Sequence, residues 1–480
     1  SFWSHDYTDW DQIPVPLQTC TRHNPSLLLD YARFCSDSTR DYMRAQVEIL
    51  RREAPRQFVT HNLLGAVYTH LDNFALVEEL DLVGWDNYVP QARHIQAALS
   101  HDVMRSLKRR SFWVLEQQCS YPQWPSYSNL DPGVARLMSY QGIARGADGM
   151  LYFRWRSGLI GAEQFHAGIL PHDGRPGRVY QEIRQIGLEL RRLGPKLEGT
   201  LPRAEVALVL DYDSLWALEF QPHHDELGNP WRYFEDVYGR LHERRIPVNF
   251  VSPTGDLSGY RVLIAPALFV LQEEATANLK RFVDGGGLLL VTLRSGVKDR
   301  HNRVVDVPLP GLLAELVGAT VREFESRPST AMAQVRVDHE AWGREACPAS
   351  VWYELLEPQE AEVVGTYAGG LFDGEPAVTW HRVGRGGVVY LGTMGRQLTG
   401  LLLDGLLSRA EVHPPVPIKA SSTVEAVVRE GENGKIVFLL NHSSEAQKVT
   451  LAARARDLLQ DADVRGELEL SPYGVLVLGI

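Results

Sequence analysis

Residues 111–120 read SFWVLEQQCS, in which an apolar run ends on a glutamate that is followed by two glutamines. The run from Phe112 to Leu115 predicts a buried β-strand, because its aromatic and aliphatic residues carry no charge. Glu116 then follows at the carboxyl end of the strand. A carboxylate at that point fits the rim of a barrel of parallel strands, where catalytic groups lie, although a single glutamate after a strand is more often an ordinary surface or ion-pair residue.

The same pattern recurs three more times before Leu197. Short apolar strands end in polar or aromatic residues at His61-Asn62, at Trp85 to Tyr88 and at Phe153 to Arg156. Amphipathic stretches such as Ser38 to Arg52 supply the helical crossovers that parallel strands require. Residues 1–197 therefore predict four strand–helix units, which are half of the eight units of a (β/α)8 TIM barrel.

Two further domains follow along the chain. The stretches EVALVLDYD, PVNFV, VLIAPAL and GGLLLVT alternate with helical segments, which predicts an open α/β domain of flavodoxin-like type at residues 203–413. A proline-rich linker at Pro414 to Pro417 comes next. The strands VEAVVRE, KIVFLLN and VLVLGI, with the turn GENG, predict a small antiparallel β-sandwich at residues 418–480.

Composition argues against several classes of function. The net charge of −11, without a basic run, argues against nucleic acid as a partner. The longest uncharged apolar stretch, Val262 to Leu271, is far shorter than the ~20 residues of a membrane helix. Four scattered cysteines without a Cys-x-x-Cys pair favour a reducing compartment and no metal. We therefore predict a cytoplasmic protein with no cofactor, no metal and no membrane contact.

Four residues near Glu116 indicate a sugar pocket. Trp124 and Phe153 offer aromatic faces that cover the C–H patches of a sugar ring. Glu163 and His166 are three residues apart, so a helical turn would direct both to one side, where they could bind hydroxyl groups. A pocket of carboxylates and aromatic rings without cations suits a neutral polyhydroxylated substrate. Two alternatives remain open, because Trp124 could be an ordinary core residue and Glu163 with His166 a surface pair.

Longer motifs strengthen this interpretation. The segments SFWSHDYTDWDQIPVP, VTHN, LVGWDNY, FWVLEQQ, GADGMLYFRWRSGLIGAEQFHAGILPHDG and LVLDYDSLWALEFQP resemble glycoside hydrolase family 42, the β-galactosidases. In that family a catalytic barrel precedes a trimerisation domain of flavodoxin-like or amidotransferase-like fold and a small β-sandwich. The resemblance implies a homotrimer that acts on β-galactoside oligosaccharides.

The resemblance also implies roles for individual residues. Glu116 falls on the nucleophile of a retaining glycosidase, which releases terminal non-reducing β-D-galactose through a glycosyl-enzyme. The family's sugar-binding positions fall on Tyr88, Trp124, Phe153, Glu163 and His166, and on Trp3 less directly.

One departure from the family bears on activity. The family's acid/base glutamate follows an asparagine at the end of barrel strand four, and this chain contains no Asn-Glu dipeptide. The resemblance therefore implies that residues 1–197 hold strands five to eight, the C-terminal half of the barrel. We expect an N-terminally truncated chain that lacks the acid/base glutamate and is inactive by itself. The alternatives are a non-catalytic sugar-binding or assembly protein and a related α-L-arabinopyranosidase. An amidotransferase at residues 203–413 is disfavoured, because Cys347 lies outside any strand–turn–helix pattern.

Overall fold

The computed structural model describes residues 6–20, 22–66, 68–125, 127–227, 229–370, 372–432 and 434–480. Trp3, one of the predicted sugar-binding residues, lies outside these ranges. The strands form three sheets, one in each of the three regions that the sequence predicts. In the described part of the chain, no helix has the length and apolar character needed to cross a membrane.

The first sheet is fully parallel. Its strands lie in the order β1 (Thr60–Leu63), β2 (Leu82–Asn87), β3 (Phe112–Gln118) and β4 (Ala147–Phe153). The α-helices of this region are α1 (Pro25–Glu53), α2 (Asn73–Leu76), α3 (His94–Lys108), α4 (Val134–Ala144) and α5 (Arg178–Leu197). The four predicted parallel strands are therefore present.

The strands extend further than the sequence predicts. Asn62, Asp86 and Glu116 were expected to follow their strands but lie inside β1, β2 and β3. The reason is that each neighbouring parallel strand continues to supply backbone hydrogen bonds, so the polar residues remain in the ladder. Asp86 and Glu116 are register partners across β2 and β3.

The second sheet has a parallel half and an antiparallel half. Its elements in chain order are β5 (Val206–Val209), α6 (Tyr212–Phe220), α7 (Pro230–Glu243), β6 (Val248–Val251), β7 (Val262–Ala265), α8 (Glu273–Asp284), β8 (Leu288–Thr292), α9 (Ala314–Val317), β9 (Ala319–Ser326), β10 (Ala333–His339), β11 (Gly343–Pro358), β12 (Glu362–Ala368), β13 (Pro376–Val383), β14 (Gly386–Leu391), β15 (Thr393–Met394) and α10 (Arg396–Arg409). Strands β14, β8, β7, β5 and β6 are parallel, as an open α/β domain requires, and the sheet continues antiparallel from β14 through β13, β12 and β10 to β11. The flavodoxin-like prediction covers only the parallel half.

The third sheet is antiparallel. It contains β16 (Ile418–Ala420), β17 (Val424–Gly431), β18 (Gly434–Asn441), β19 (Gln447–Asp457), β20 (Ala462–Leu470) and β21 (Val475–Gly479). A sandwich predicts two separate sheets, whereas these six strands belong to one, because β19 pairs with β16, β20 and β21.

Arg429 on β17 joins the third region to the first. Its fully buried guanidinium donates to the carbonyl oxygens of Ile143 at the end of α4 and Ala147 at the start of β4, and to the carboxylate of Asp148. It also donates to the carbonyl and hydroxyl oxygens of Thr200. The strand that leads to Phe153 is therefore fixed at its base by the C-terminal sheet.

Candidate active site

Three neighbouring strands bring polar side chains to the same end of the first sheet. The hydroxyl of Tyr88, just after β2, donates to Oε2 of Glu116 at 2.7 Å. The amide Nδ2 of Asn62 on β1 donates to Oδ1 of Asp86 at 2.8 Å and to Oε1 of Glu116 at 3.4 Å. Both carboxylate oxygens of Glu116 thus accept a hydrogen bond, and the carboxylate is held in one orientation.

Burial and charge shift the titration of two groups beside Glu116. Burial raises the pKa of Asp86 to about 7, and the negative charge of Glu116 adds to this effect, while the hydrogen bond from Asn62 opposes it. Burial also raises the pKa of Tyr88, and its hydrogen bond to Glu116 raises that pKa further. Tyr88 therefore keeps its proton at neutral pH and acts as a donor to Glu116.

Aromatic rings form a wall next to this carboxylate. The ring of Tyr88 lies 4.9 Å from that of Trp124 and 5.7 Å from that of His166, in edge-to-face contacts between ring centroids. His166 is also 5.4 Å from Trp124 and 5.0 Å from Phe153. The structure therefore brings together four of the residues that the sequence assigned to a sugar pocket.

His166 is buried, with 2% of its surface exposed. Its Nδ1 atom is buried too and has no hydrogen-bond partner among the described residues. Burial lowers the pKa of His166, and the positive charge of Arg154 lowers it further. The ring is therefore neutral at pH 7 and has a free nitrogen for a hydroxyl group of a ligand.

The surroundings and local backbone of Glu163 differ from those that the sequence predicts. Its side chain is 49% exposed and forms an ion pair with Arg154, whose guanidinium also lies 4.5 Å from the ring of Phe153. Residues 162–165 form a hydrogen-bonded turn rather than a helix, with the backbone N–H of His166 donating to the carbonyl of Glu163 at 3.0 Å. The expected helical turn is therefore wrong, and so is the expected absence of cations.

Sequence reasoning missed Asn62, Asp86 and Arg154. The first two carry a signal that could have identified them, because each is a polar residue inside a strand on the same side of the sheet as Glu116. Arg154 gave a weaker signal, since it directly follows Phe153 at the end of β4. In the ranges that the structure describes, no group of three or more His, Cys, Asp and Glu side chains is arranged to hold a metal ion.

Comparison with known proteins identifies the family. The β-galactosidase family model matches residues 1–193, the β-galactosidase trimerisation domain matches 204–413 and the β-galactosidase C-terminal domain matches 423–479. The chain belongs to glycoside hydrolase family 42. It is 35% identical over 495 residues to β-galactosidase bgaB of Geobacillus kaustophilus. The aligned region covers 100% of this chain and 71% of that protein.

Solved structures of β-galactosidases share the fold. The β-galactosidase from Bacillus circulans sp. alkalophilus superposes with a TM-score of 0.94 at 29% identity, covering 99% of this chain and 72% of that one. The enzyme from the Antarctic haloarchaeon Halorubrum lacusprofundi gives a TM-score of 0.89 at 35% identity, covering 100% of this chain and 72% of that one. The α/β architecture with a parallel sheet and β-rich C-terminal regions is therefore that of the family.

Proposed function

We propose that this chain carries the nucleophile and part of the sugar pocket of a retaining β-galactosidase that releases terminal non-reducing β-D-galactose. The observation that carries the proposal is the Glu116 carboxylate, which is fixed by Tyr88 and Asn62, with the rings of Trp124 and His166 packed against Tyr88. A carboxylate oriented beside aromatic rings is what covalent catalysis on a sugar requires.

In this mechanism Glu116 attacks the anomeric carbon. A bond forms between a carboxylate oxygen and that carbon, while the bond to the leaving oxygen breaks and its electron pair stays on the leaving group, which takes a proton from a general acid. Water then hydrolyses the ester and restores Glu116. Tyr88 and Asn62 keep the carboxylate aimed at the sugar through both steps.

The aromatic wall and the ion pair fit the recognition of galactose. Trp124 and Phe153 cover the apolar face of the ring, and the free Nδ1 of His166 binds a hydroxyl group. Glu163, held by Arg154, binds a second hydroxyl group. A wrong sugar epimer would leave these polar groups unpaired, which is how such a pocket discriminates. Trp3 stays a prediction from the resemblance.

The general acid is not assigned within these 480 residues. Asp86, the carboxyl group on the neighbouring strand, shares Asn62 with Glu116, and Glu163, in the loop after β4, is paired with Arg154. The sequence has no Asn-Glu dipeptide. We therefore propose that these residues alone do not turn over lactose. In place of the complete inactivity expected from the sequence, we propose that activated aryl galactosides still react, because they need little protonation of the leaving group.

The chain is also proposed to form a homotrimer built from three-domain subunits. The match of residues 204–413 to a trimerisation domain supports a homotrimer. We propose domains at residues 1–197, 203–413 and 418–480, with β1 to β4 as strands five to eight of a (β/α)8 barrel. A cytoplasmic location stays a prediction from the four scattered cysteines.

Substitution of Glu116 tests the function. Glu116→Gln should fold normally and lose nearly all hydrolysis of an activated aryl β-galactoside, and azide should restore turnover to Glu116→Gly because a small nucleophile fills the space. Glu340→Gln, at an exposed loop position, is the matched control and should behave like the unaltered chain. Equal turnover by Glu116→Gln, or none by the unaltered chain, would contradict the proposal.

A further inference from the structure

Two carboxyl groups stand side by side on neighbouring strands. Asp86 on β2 and Glu116 on β3 are register partners in the parallel ladder. A single amide group joins them, since Nδ2 of Asn62 donates to Asp86 at 2.8 Å and to Glu116 at 3.4 Å. An amide nitrogen carries two hydrogens, so one Asn62 side chain can serve both carboxyl groups at once.

We propose that Asp86 is a positioning residue that holds Asn62 against Glu116 and releases a proton whenever Glu116 loses its negative charge. The inference rests on the proposed function in one respect, which is that the loss of charge occurs when Glu116 becomes a glycosyl ester. The pairing of Asp86, Asn62 and Glu116 itself does not depend on the substrate.

The surroundings of Asp86 explain why its proton responds to Glu116. The groups that shift its pKa are Glu116 on β3 and Asn62 on β1, together with burial, and no described cation is among them. Tyr88, in the loop after β2, is influenced by the charges of both carboxyl groups. Burial is the larger cause of the Asp86 pKa of about 7, and the negative charge of Glu116 raises that pKa further because neighbouring like charges resist simultaneous ionisation.

Formation of the ester removes one of the two causes of that shift. Once Glu116 is neutral, burial still raises the pKa of Asp86 but the charge of Glu116 no longer does, so the pKa falls and Asp86 passes its proton to water when the pH lies above the lowered value. Hydrolysis of the ester restores the charge of Glu116, and Asp86 takes a proton back from water. This proton is separate from the one that the general acid gives to the leaving oxygen, so both transfers balance.

Because Asp86 and Glu116 are coupled, the pH should shift the balance between the free Glu116 carboxylate and its glycosyl ester. Because ionised Asp86 is disfavoured beside charged Glu116 but tolerated beside a neutral ester, linkage requires that ionisation of Asp86 favours the ester. Raising the pH through about 7 should therefore favour the glycosyl-enzyme, and lowering it should favour the free carboxylate. A carboxyl group that only anchored Asn62 would produce no such dependence.

Infrared titration of the 480-residue chain tests the coupling without any sugar. The C=O stretch of a protonated carboxyl group is followed between about pH 5.5 and 9, where Asp86 changes its charge and carboxyl groups of ordinary pKa do not. Near neutral pH the unaltered chain should lose intensity from Asp86 and from Asp211, a carboxyl group just before α6 whose pKa burial also raises to about 7. Asp86→Asn, which keeps an oxygen acceptor for Asn62, should lack only the part that comes from Asp86. Glu340→Gln is the control and should leave the band in place.

Glu116→Gln provides the decisive comparison, because a neutral amide reproduces the uncharged state of the ester. In that variant the midpoint of the Asp86 band should fall by about one pH unit or more, a tenfold or greater change in proton affinity. An unchanged midpoint in Glu116→Gln, or neutral-pH intensity that Asp86→Asn leaves undiminished, would overturn the proposal. Glu116→Gln still decides the matter if Asp86→Asn fails to fold.

The same titration separates this inference from the proposed function. If Glu116 is not the nucleophile, the midpoint still shifts in Glu116→Gln, but no sugar becomes attached to Glu116. If the nucleophile is correct and the coupling is not, the sugar attaches and the midpoint stays where it was. A chain already esterified at Glu116 should show the lower midpoint of Glu116→Gln.

Discussion

Replacement of Arg429 by methionine should loosen the candidate active site from a distance. The guanidinium is 0% exposed and makes six hydrogen bonds, all to residues of the first region or the linker that follows it. Methionine fills much of the same space but donates none of them. The base of β4 would then lose its connection to β17, and Phe153 at the other end of that strand would lose support.

The size of the effect follows from the acceptors left behind. Asp148 is partly exposed and can turn to water, so most of the cost arises from the buried oxygens of Thr200 and of the carbonyls at the end of α4 and the start of β4. Each buried group without a partner costs about 1–3 kcal/mol. Removing one partner of a buried charged network costs about 3–5 kcal/mol, and we expect Arg429→Met to lower the free energy of unfolding by about that amount.

Hydrogen exchange measures this loss where it should occur. Amide protection in Ala147–Phe153, followed by mass spectrometry, should fall by about a hundredfold or more, since each 1.4 kcal/mol is a factor of ten. Arg454→Met is the matched control in the same sheet, because Arg454 is 71% exposed and paired with Asp463 at the surface. Such a pair contributes about 0–1 kcal/mol. Equal protection in the Arg429→Met and Arg454→Met chains would refute the reasoning.

Three further predictions concern the sugar pocket, a buried histidine and the oligomeric state. Glu163→Gln should weaken transition-state binding of galactosides by about 2–4 kcal/mol, and an unchanged ratio of galactoside to glucoside turnover would show that Glu163 does not read the sugar. Burial lowers the pKa of His101 from 6.5 to about 3, so stability is fully present above 6.5 and is lost as the pH falls toward 3. His101→Leu should remove about 1.4 kcal/mol per pH unit from the slope of unfolding free energy in that range, and an unchanged slope would contradict this. Sedimentation equilibrium should give three times 53.9 kDa, and a monomer mass would exclude the trimer.

Much of the first sheet was predictable because its strands are uninterrupted apolar runs. Phe112 to Leu115 and Met150 to Tyr152 have few polar residues, which is typical of the strands of a parallel sheet, although Leu151 on β4 is 44% exposed. The ends of the strands were less predictable, since Asn62 and Glu116 stay in the ladder through backbone hydrogen bonds that a single sequence does not reveal.

The loop after β4 illustrates why the rest of the site was missed. A spacing of three between Glu163 and His166 suggested a helix, yet Gly161 adopts a φ of 94° and the segment forms only a turn. The ion pair of Glu163 with Arg154 depends on that turn. The antiparallel half of the second sheet did have a signal, because AQVRVDH alternates polar and apolar residues along β10.

Covalent trapping at Glu116 tests the central claim most directly. An activated 2-deoxy-2-fluoro-β-galactoside needs little help from a general acid, and its fluorine slows hydrolysis of the glycosyl-enzyme, so the ester can be located by peptide mapping. We predict that the fluorogalactosyl mass is found on the peptide that contains Glu116, and that Glu116→Gln acquires none. A sugar attached to a different carboxylate, or equal labelling of Glu116→Gln, would contradict the account.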